Sequence, residues 1–287
     1  MESSAVGSDI ACAPAFGTGS KALHASAGHL AGSTAPGERK AAAACSNEDV
    51  SDWSDPGKLV EEQERVASLT PQPWEPPPRP LRVAAAFVAF AAGEQGPGRR
   101  GDRGLVGAVL WHEGDADGPP AVLHSVVVEG AAGDRYVPGL LALREGHMLE
   151  HAFRTLMAGS PAADLLLVDA TGRDHPRRCG LAFHLGWALD VPSVGVTHRL
   201  LTDRDLQPPR TCPDTRSQSI LLADSPEPEA AWVWTASGAR PVVAHAAWRT
   251  DLDTAVEVSL RTSAGLRTPE PLRQARALAR EARSAAG

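Results

Sequence analysis

The stretch LLLVDATGRDHPRRCGLAFHLGWALDVPSVGV, from Leu165 to Val196, decides the fold. Leu165 to Val168 is a short apolar run of the kind that forms a buried strand, and it ends on Asp169. The polar loop from Thr171 to Arg178 leads into a helical stretch, Leu181 to Leu189, and Ser193 to Val196 reads as another strand. Upstream, Leu140 to Met157 reads as a helix with Leu141, Leu149, Phe153 and Leu156 near one face. Before it come three strand candidates in succession: Val83 to Phe90, Leu105 to Trp111 and Ala121 to Val128. Downstream, Ile220–Leu222, Ala230–Trp234 and Val242–Ala244 read as short strands, and helices over Thr254–Arg261 and Leu272–Ala286 close the chain.

Three strands followed by alternating helix and strand predict an α/β fold with one mixed sheet. The order fits a ribonuclease H-like mixed sheet flanked by helices, with an antiparallel three-stranded start and parallel additions. Residues 1–57 are rich in Ala, Gly and Ser without a period, which predicts a disordered tail. The domain is expected over 58–285. It opens with an amphipathic helix from Leu59 to Leu69 and a proline-rich connector from Pro71 to Pro80.

The net charge is −7, and Lys occurs only at Lys21, Lys40 and Lys58. That balance argues against strong non-specific nucleic-acid binding, which is dominated by phosphate neutralisation. Cys12, Cys45, Cys179 and Cys212 lack the spacing of a zinc site or a disulfide framework. No apolar run reaches the roughly 18 residues of a membrane helix. The N-terminus has neither the charged segment nor the apolar core of a signal peptide, so a cytoplasmic protein is expected.

Asp169 stands at the C-terminal end of a strand, the edge where ligands gather in open α/β sheets. Capping of the following loop explains it as well, and the local sequence favours that reading. Glu145, early in its helix, is stabilised by the helix macrodipole whatever its role. Together the two could hold Mg²⁺ or Mn²⁺ through hard oxygen ligands. The loop with Arg173, His175, Arg177 and Arg178 offers guanidinium forks that match phosphate, or it is simply a solvated loop.

Five blocks taken together are specific: Arg135-Tyr136-Val137-Pro138-Gly139; Leu143-Arg144-Glu145-Gly146; Val168-Asp169 with Gly172; His175-Pro176-Arg177-Arg178-Cys179-Gly180-Leu181-Ala182; and Asp190-Val191-Pro192-Ser193-Val194-Gly195-Val196. In order and spacing the series resembles the endonuclease V family. Gln63-Glu64-Arg65, Trp232-Val233-Trp234 and Arg249-Thr250-Asp251-Leu252-Asp253-Thr254-Ala255 extend the match, which runs from about 58 to 285. The resemblance implies a monomer that cuts DNA or RNA near deoxyinosine or inosine with Mg²⁺ or Mn²⁺. It makes Glu145 and Asp169 catalytic metal carboxylates and Tyr136 a wedge at the flipped base. Gly139, Leu141, Ala170 and Gly180 would line the base pocket, while His175, Arg177, Arg178, His198 and Arg249 would contact or steer the strand.

The chain departs from the family pattern where the chemistry is expected. Phe87 stands in place of a first-strand Asp, Trp248 in place of an active-site His, His198 in place of a Lys and Ala170 in place of a Gly. An apolar ring offers a metal no ligand, so weak or lost cleavage is expected. Substitute ligands could come from Glu94, Asp102, His245 or Asp251, although solvated loop and helix-start positions account for them better. Three functions remain open: an active nuclease, a nucleic-acid-binding pseudo-enzyme, and a remnant that binds no nucleic acid.

Overall fold

The computed structural model describes residues 53–91, 97–116, 118–203, 205–223 and 225–286. The tail expected over residues 1–57 lies outside them as far as residue 52, and so does Glu94. The described elements are α1 (Pro56–Ala67), β1 (Arg82–Phe90), β2 (Arg103–His112), β3 (Ala121–Ala131), α2 (Leu141–Ala158), β4 (Leu165–Val168), α3 (Leu181–Leu189), β5 (Ser193–Thr197), β6 (Ser217–Ile220), β7 (Ala230–Val233), β8 (Val242–Ala246), α4 (Leu252–Arg261) and α5 (Glu270–Ala285).

The strands form one sheet in the order β3-β2-β1-β4-β5-β8-β7-β6. β1, β2 and β3 are antiparallel, and β4 and β5 then add in parallel, as the pattern predicted. β8, β7 and β6 complete the sheet in antiparallel fashion.

Helices on both faces explain the unbroken apolar runs of β1 and β4. Ala84, Ala86 and Val88 of β1 enter one core with residues of α1, α2 and α3. Val83 and Ala85 enter the other with residues of α4 and α5, and Phe87 packs against that core. Each fully buried aliphatic side chain contributes about 1.5–3 kcal/mol. The packing begins upstream of Lys58: Trp53 is buried, and its indole Nε1 donates to Glu150 Oε2 at 2.6 Å. No described helix is long and apolar enough to cross a membrane.

One glycine positions the last helix. A Cβ at Gly107 on β2 would lie 2.6 Å from both Ala275 O and Ala279 N of α5. The helix backbone therefore rests directly on the sheet there, and the β1 residue paired with Gly107 is Phe87.

Candidate functional site

Register and alternation bring position 87 beside Asp169. The last β1–β4 pair is Ala86 with Val168, so the next residues along the parallel strands are Phe87 and Asp169. Leu165 and Leu167 face the core under α4 and α5, and alternation carries Asp169 to that same face, where Phe87 also lies. Asp169 follows β4 directly, and Phe87 lies in the C-terminal half of β1. The position expected to carry a carboxylate is thus adjacent to Asp169, and it presents a ring.

The group that meets both residues is Arg276 of α5. Its Nη2 donates to Asp169 Oδ2 at 2.8 Å, and its guanidinium carbon lies 4.8 Å from the centre of the Phe87 ring. Burial pushes the Glu145 carboxyl up to about 7, and the neighbouring charge of Asp169 adds to the shift.

The possible substitute ligands among the described residues are engaged elsewhere. Asp102, expected in a solvated loop, is buried and receives Arg144 Nη2 at 2.9 Å. Asp251 caps α4 by accepting the Thr254 N–H at 2.8 Å. His245, also expected at a solvated position, is fully buried and donates from Nδ1 to Asp174 Oδ2 at 2.8 Å. Burial works to raise the Asp174 carboxyl, but His245 and the Gly172 N–H hold it below the usual carboxylate range.

Mg²⁺ requires near-octahedral oxygen ligands at about 2.0–2.1 Å and accepts few departures. Among the described residues no three His, Cys, Asp or Glu side chains converge on such a point. The residues present do not fit the divalent metal that the resemblance implies.

A cavity adjoins this edge. It has a volume of about 700 Å³, and its wall includes Tyr136, Gly139, Leu141, Ala170, His175 and His198. Asp169 opens onto it as well, while Glu145 opens onto a smaller cleft that shares Tyr136 and Leu141. Tyr136 is 37% exposed.

The wall is braced from behind. Gly139 has φ +79°, a backbone conformation that favours glycine, and its carbonyl accepts from His175 Nε2 at 3.0 Å and from the Arg177 guanidinium. His175 Nδ1 accepts the Arg177 N–H at 3.2 Å, so the ring is held as the neutral Nε2–H tautomer. Burial pushes the His175 imidazole down to about 4, and the Arg177 charge acts in the same direction. Gln63 of α1 completes the brace: its Oε1 accepts from Arg177 Nε at 2.7 Å, and its Nε2 donates to the Cys179 carbonyl at 3.0 Å.

The arginine loop grips the protein itself. Arg173 stacks on Phe183 at 4.4 Å, Arg177 binds Gly139 and Gln63, and Arg178 pairs with Glu229. All three are half-buried, and the Arg178 side chain is 40% exposed. Gly180, expected in the pocket wall, sits behind it, because a Cβ there would lie 2.3 Å from Thr171 O.

Two placements from the sequence need correction. Ser193 N–H donates to Trp248 O at 2.9 Å, and Trp248 N–H donates to Ser193 Oγ at 3.1 Å. Ser193 begins β5, so Trp248 lies at the sheet edge opposite Asp169, where it packs edge-on against Phe183 at 5.5 Å. Arg249 is carried to that edge too and lies 3.9 Å from Asp190. Neither residue adjoins the carboxylates, because β8 runs antiparallel to β5 and ends beside its start.

His198 does face the cavity. Its Nε2 lies 2.9 Å from Thr268 Oγ1, and burial lowers its imidazole, with Asp169, Arg267 and Arg276 near enough to act on it. Beside it, the Thr197 hydroxyl donates to the Arg199 carbonyl at 2.8 Å, and His245 Nε2 lies 2.9 Å from Thr197 Oγ1. This chain of contacts ties β5, β8 and the Asp174 loop together.

Residues that the site reading missed are Arg276, Gln63 as a brace, and the far cavity wall of Trp232, Arg240 and Arg267. One signal pointed to Arg276: it follows Ala275 on the stripe of α5 that faces the sheet.

A single mixed sheet flanked by helices, with Asp169 directly after its parallel strand β4, defines a ribonuclease H-like fold. The family profile of endonuclease V matches residues 115–277. Endonuclease V of Thermus thermophilus is 33% identical over 223 residues, covering 72% of this chain and 95% of that protein. The crystal structure of endonuclease V from Streptomyces avermitilis superposes with a TM-score of 0.66 at 27% identity, covering 82% of this chain and 96% of that one. A Ciona intestinalis endonuclease V, solved with a 24mer DNA containing an inosine followed by a ribo-adenosine, shares the fold at a TM-score of 0.66 and 18% identity, covering 80% and 98%. Against two further endonuclease V relatives, 39–40% identical, the chain spans only 59–60% of their length. The chain belongs to the endonuclease V family.

Proposed function

We propose that this protein recognises DNA or RNA strands at deoxyinosine, inosine or distorted positions and has lost metal-dependent cleavage. The observation that carries this reading is the contrast between a braced cavity and a rebuilt carboxylate edge. Tyr136 stands exposed at the cavity rim, and Gly139, His175, Arg177 and Gln63 form a connected wall behind it. The inosine-containing DNA held by the Ciona protein supports inosine as the base recognised. At the edge, Phe87 offers no ligand and Arg276 holds Asp169, so phosphodiester hydrolysis lacks the charged cage that positions a metal and its nucleophile.

The test is binding of fluorescent inosine-containing strands in EDTA, with matched guanosine strands as the comparison. Tighter binding to inosine strands, weakening as salt rises, is expected because phosphate contacts release counterions. Equal or absent binding at low salt would favour the remnant reading, which the net charge of −7 and the inward-turned arginine loop support.

A further inference from the structure

Arginine 276 is not where chance would leave a surface cation. Gly107 lets the α5 backbone rest on β2, directly opposite Phe87. Leu272, Ala275 and Ala279 bury the helix face that makes this contact. The guanidinium is thereby delivered to a point that touches Asp169 and the Phe87 ring together. Those are the two adjacent sheet-edge positions at which a carboxylate pair would share a cation.

We propose that the Arg276 guanidinium is this chain's resident cation at the C-terminal sheet edge, standing in the place of the divalent metal and excluding it. The ring at position 87 then has a positive role. A carboxylate is replaced by an aromatic face, and an arginine cation stacks favourably on such a face. The two departures from a metal centre thus explain one another. A divalent ion approaching Asp169 would meet a fixed positive charge at hydrogen-bond distance from the oxygen it needs. The remaining oxygens, from Asp169 and Glu145, are too few for an ion that requires several fixed ligands.

The experiment is a Mn²⁺ titration of the full chain without nucleic acid, following free Mn²⁺ by electron paramagnetic resonance. The wild-type protein is expected to show no site that depends on Asp169. The double variant Phe87→Asp with Arg276→Gln is expected to bind Mn²⁺ at least about tenfold more tightly, and adding Asp169→Asn should remove the gain. A wild-type site that Asp169→Asn abolishes would overturn the proposal. So would a natively folded double variant, judged by circular dichroism, that gains nothing. If the double variant does not fold, the wild-type titration beside Asp169→Asn decides alone. Because no strand is present, failure here leaves the inosine-binding reading standing, and failure of strand binding leaves this one standing.

Discussion

The cavity wall and the carboxylate edge lie side by side on one sheet, yet they have been treated oppositely. Behind the cavity, Gly139, His175, Arg177 and Gln63 join α1, the segment before α2 and the loop after β4 through paired donors and acceptors. At the edge, one ion pair and one ring contact fill the space around Asp169. On the function proposed above, a recognition surface outlasts the chemistry beside it, because shape depends on packing and hydrogen bonds whereas hydrolysis depends on a few charges.

The comparison can be broken most severely at Gly107. Gly107→Val would drive a side chain into the α5 backbone, and overpacking of this kind costs about 1–3 kcal/mol or more. Thermal denaturation should show a clear loss of stability. Little change would mean that α5 does not rest on the sheet and that Arg276 is not held by packing.

A pH titration of stability probes the braced side. The His175 imidazole is pushed to about 4 in the folded protein, below its unfolded value, so the unfolded chain takes up the proton first. Its contribution is complete above about pH 6.5 and is lost as pH falls through about 4, a change on the order of 3 kcal/mol. Denaturant unfolding across that window should show the loss, and His175→Gln should flatten that part of the slope. A variant as acid-sensitive as wild type would show that His175 is not held neutral.

Gln63→Leu should cost about 1–3 kcal/mol, because Arg177 Nε and the Cys179 carbonyl would lose buried partners. Chemical denaturation measures that change, and inosine-strand affinity should fall with it if the brace shapes the cavity. The smallest effect belongs to Arg178→Ala. The side chain is partly exposed and paired, so affinity should weaken slightly and the salt slope should fall by about one phosphate contact. An unchanged slope would mean that Arg178 does not reach the strand.

Much of this arrangement was legible in the sequence. The buried strand Leu165–Val168 and the helix Leu181–Leu189 were readable to the residue, because apolar runs bounded by polar loops have sharp ends. β6 was placed too late, at Ile220–Leu222 rather than Ser217–Ile220, because Ser217, Gln218 and Ser219 carry no apolar signal on an edge strand. The helix expected from Thr254 begins at Leu252, just after the capping Asp251.

At the site, Asp169 stood out at the end of an apolar strand, although the local sequence favoured a capping role, and Phe87 was singled out through the family resemblance. Arg276 was not: 107 residues separate it from Asp169, and an arginine on an amphipathic helix ordinarily reads as a solvated face. Trp248 was misplaced because adjacency in a motif says nothing about which end of a sheet an antiparallel strand reaches.

The most direct test is cleavage of inosine-containing single- and double-stranded oligonucleotides with Mg²⁺ or Mn²⁺, beside an Asp169→Ala control and binding of the same strands in EDTA. The expected result is binding without metal, and cutting at least about 100-fold below that of a family member with an intact site. Metal-dependent cutting that disappears in Asp169→Ala would contradict the account, because it would show a working metal at the edge that Arg276 holds.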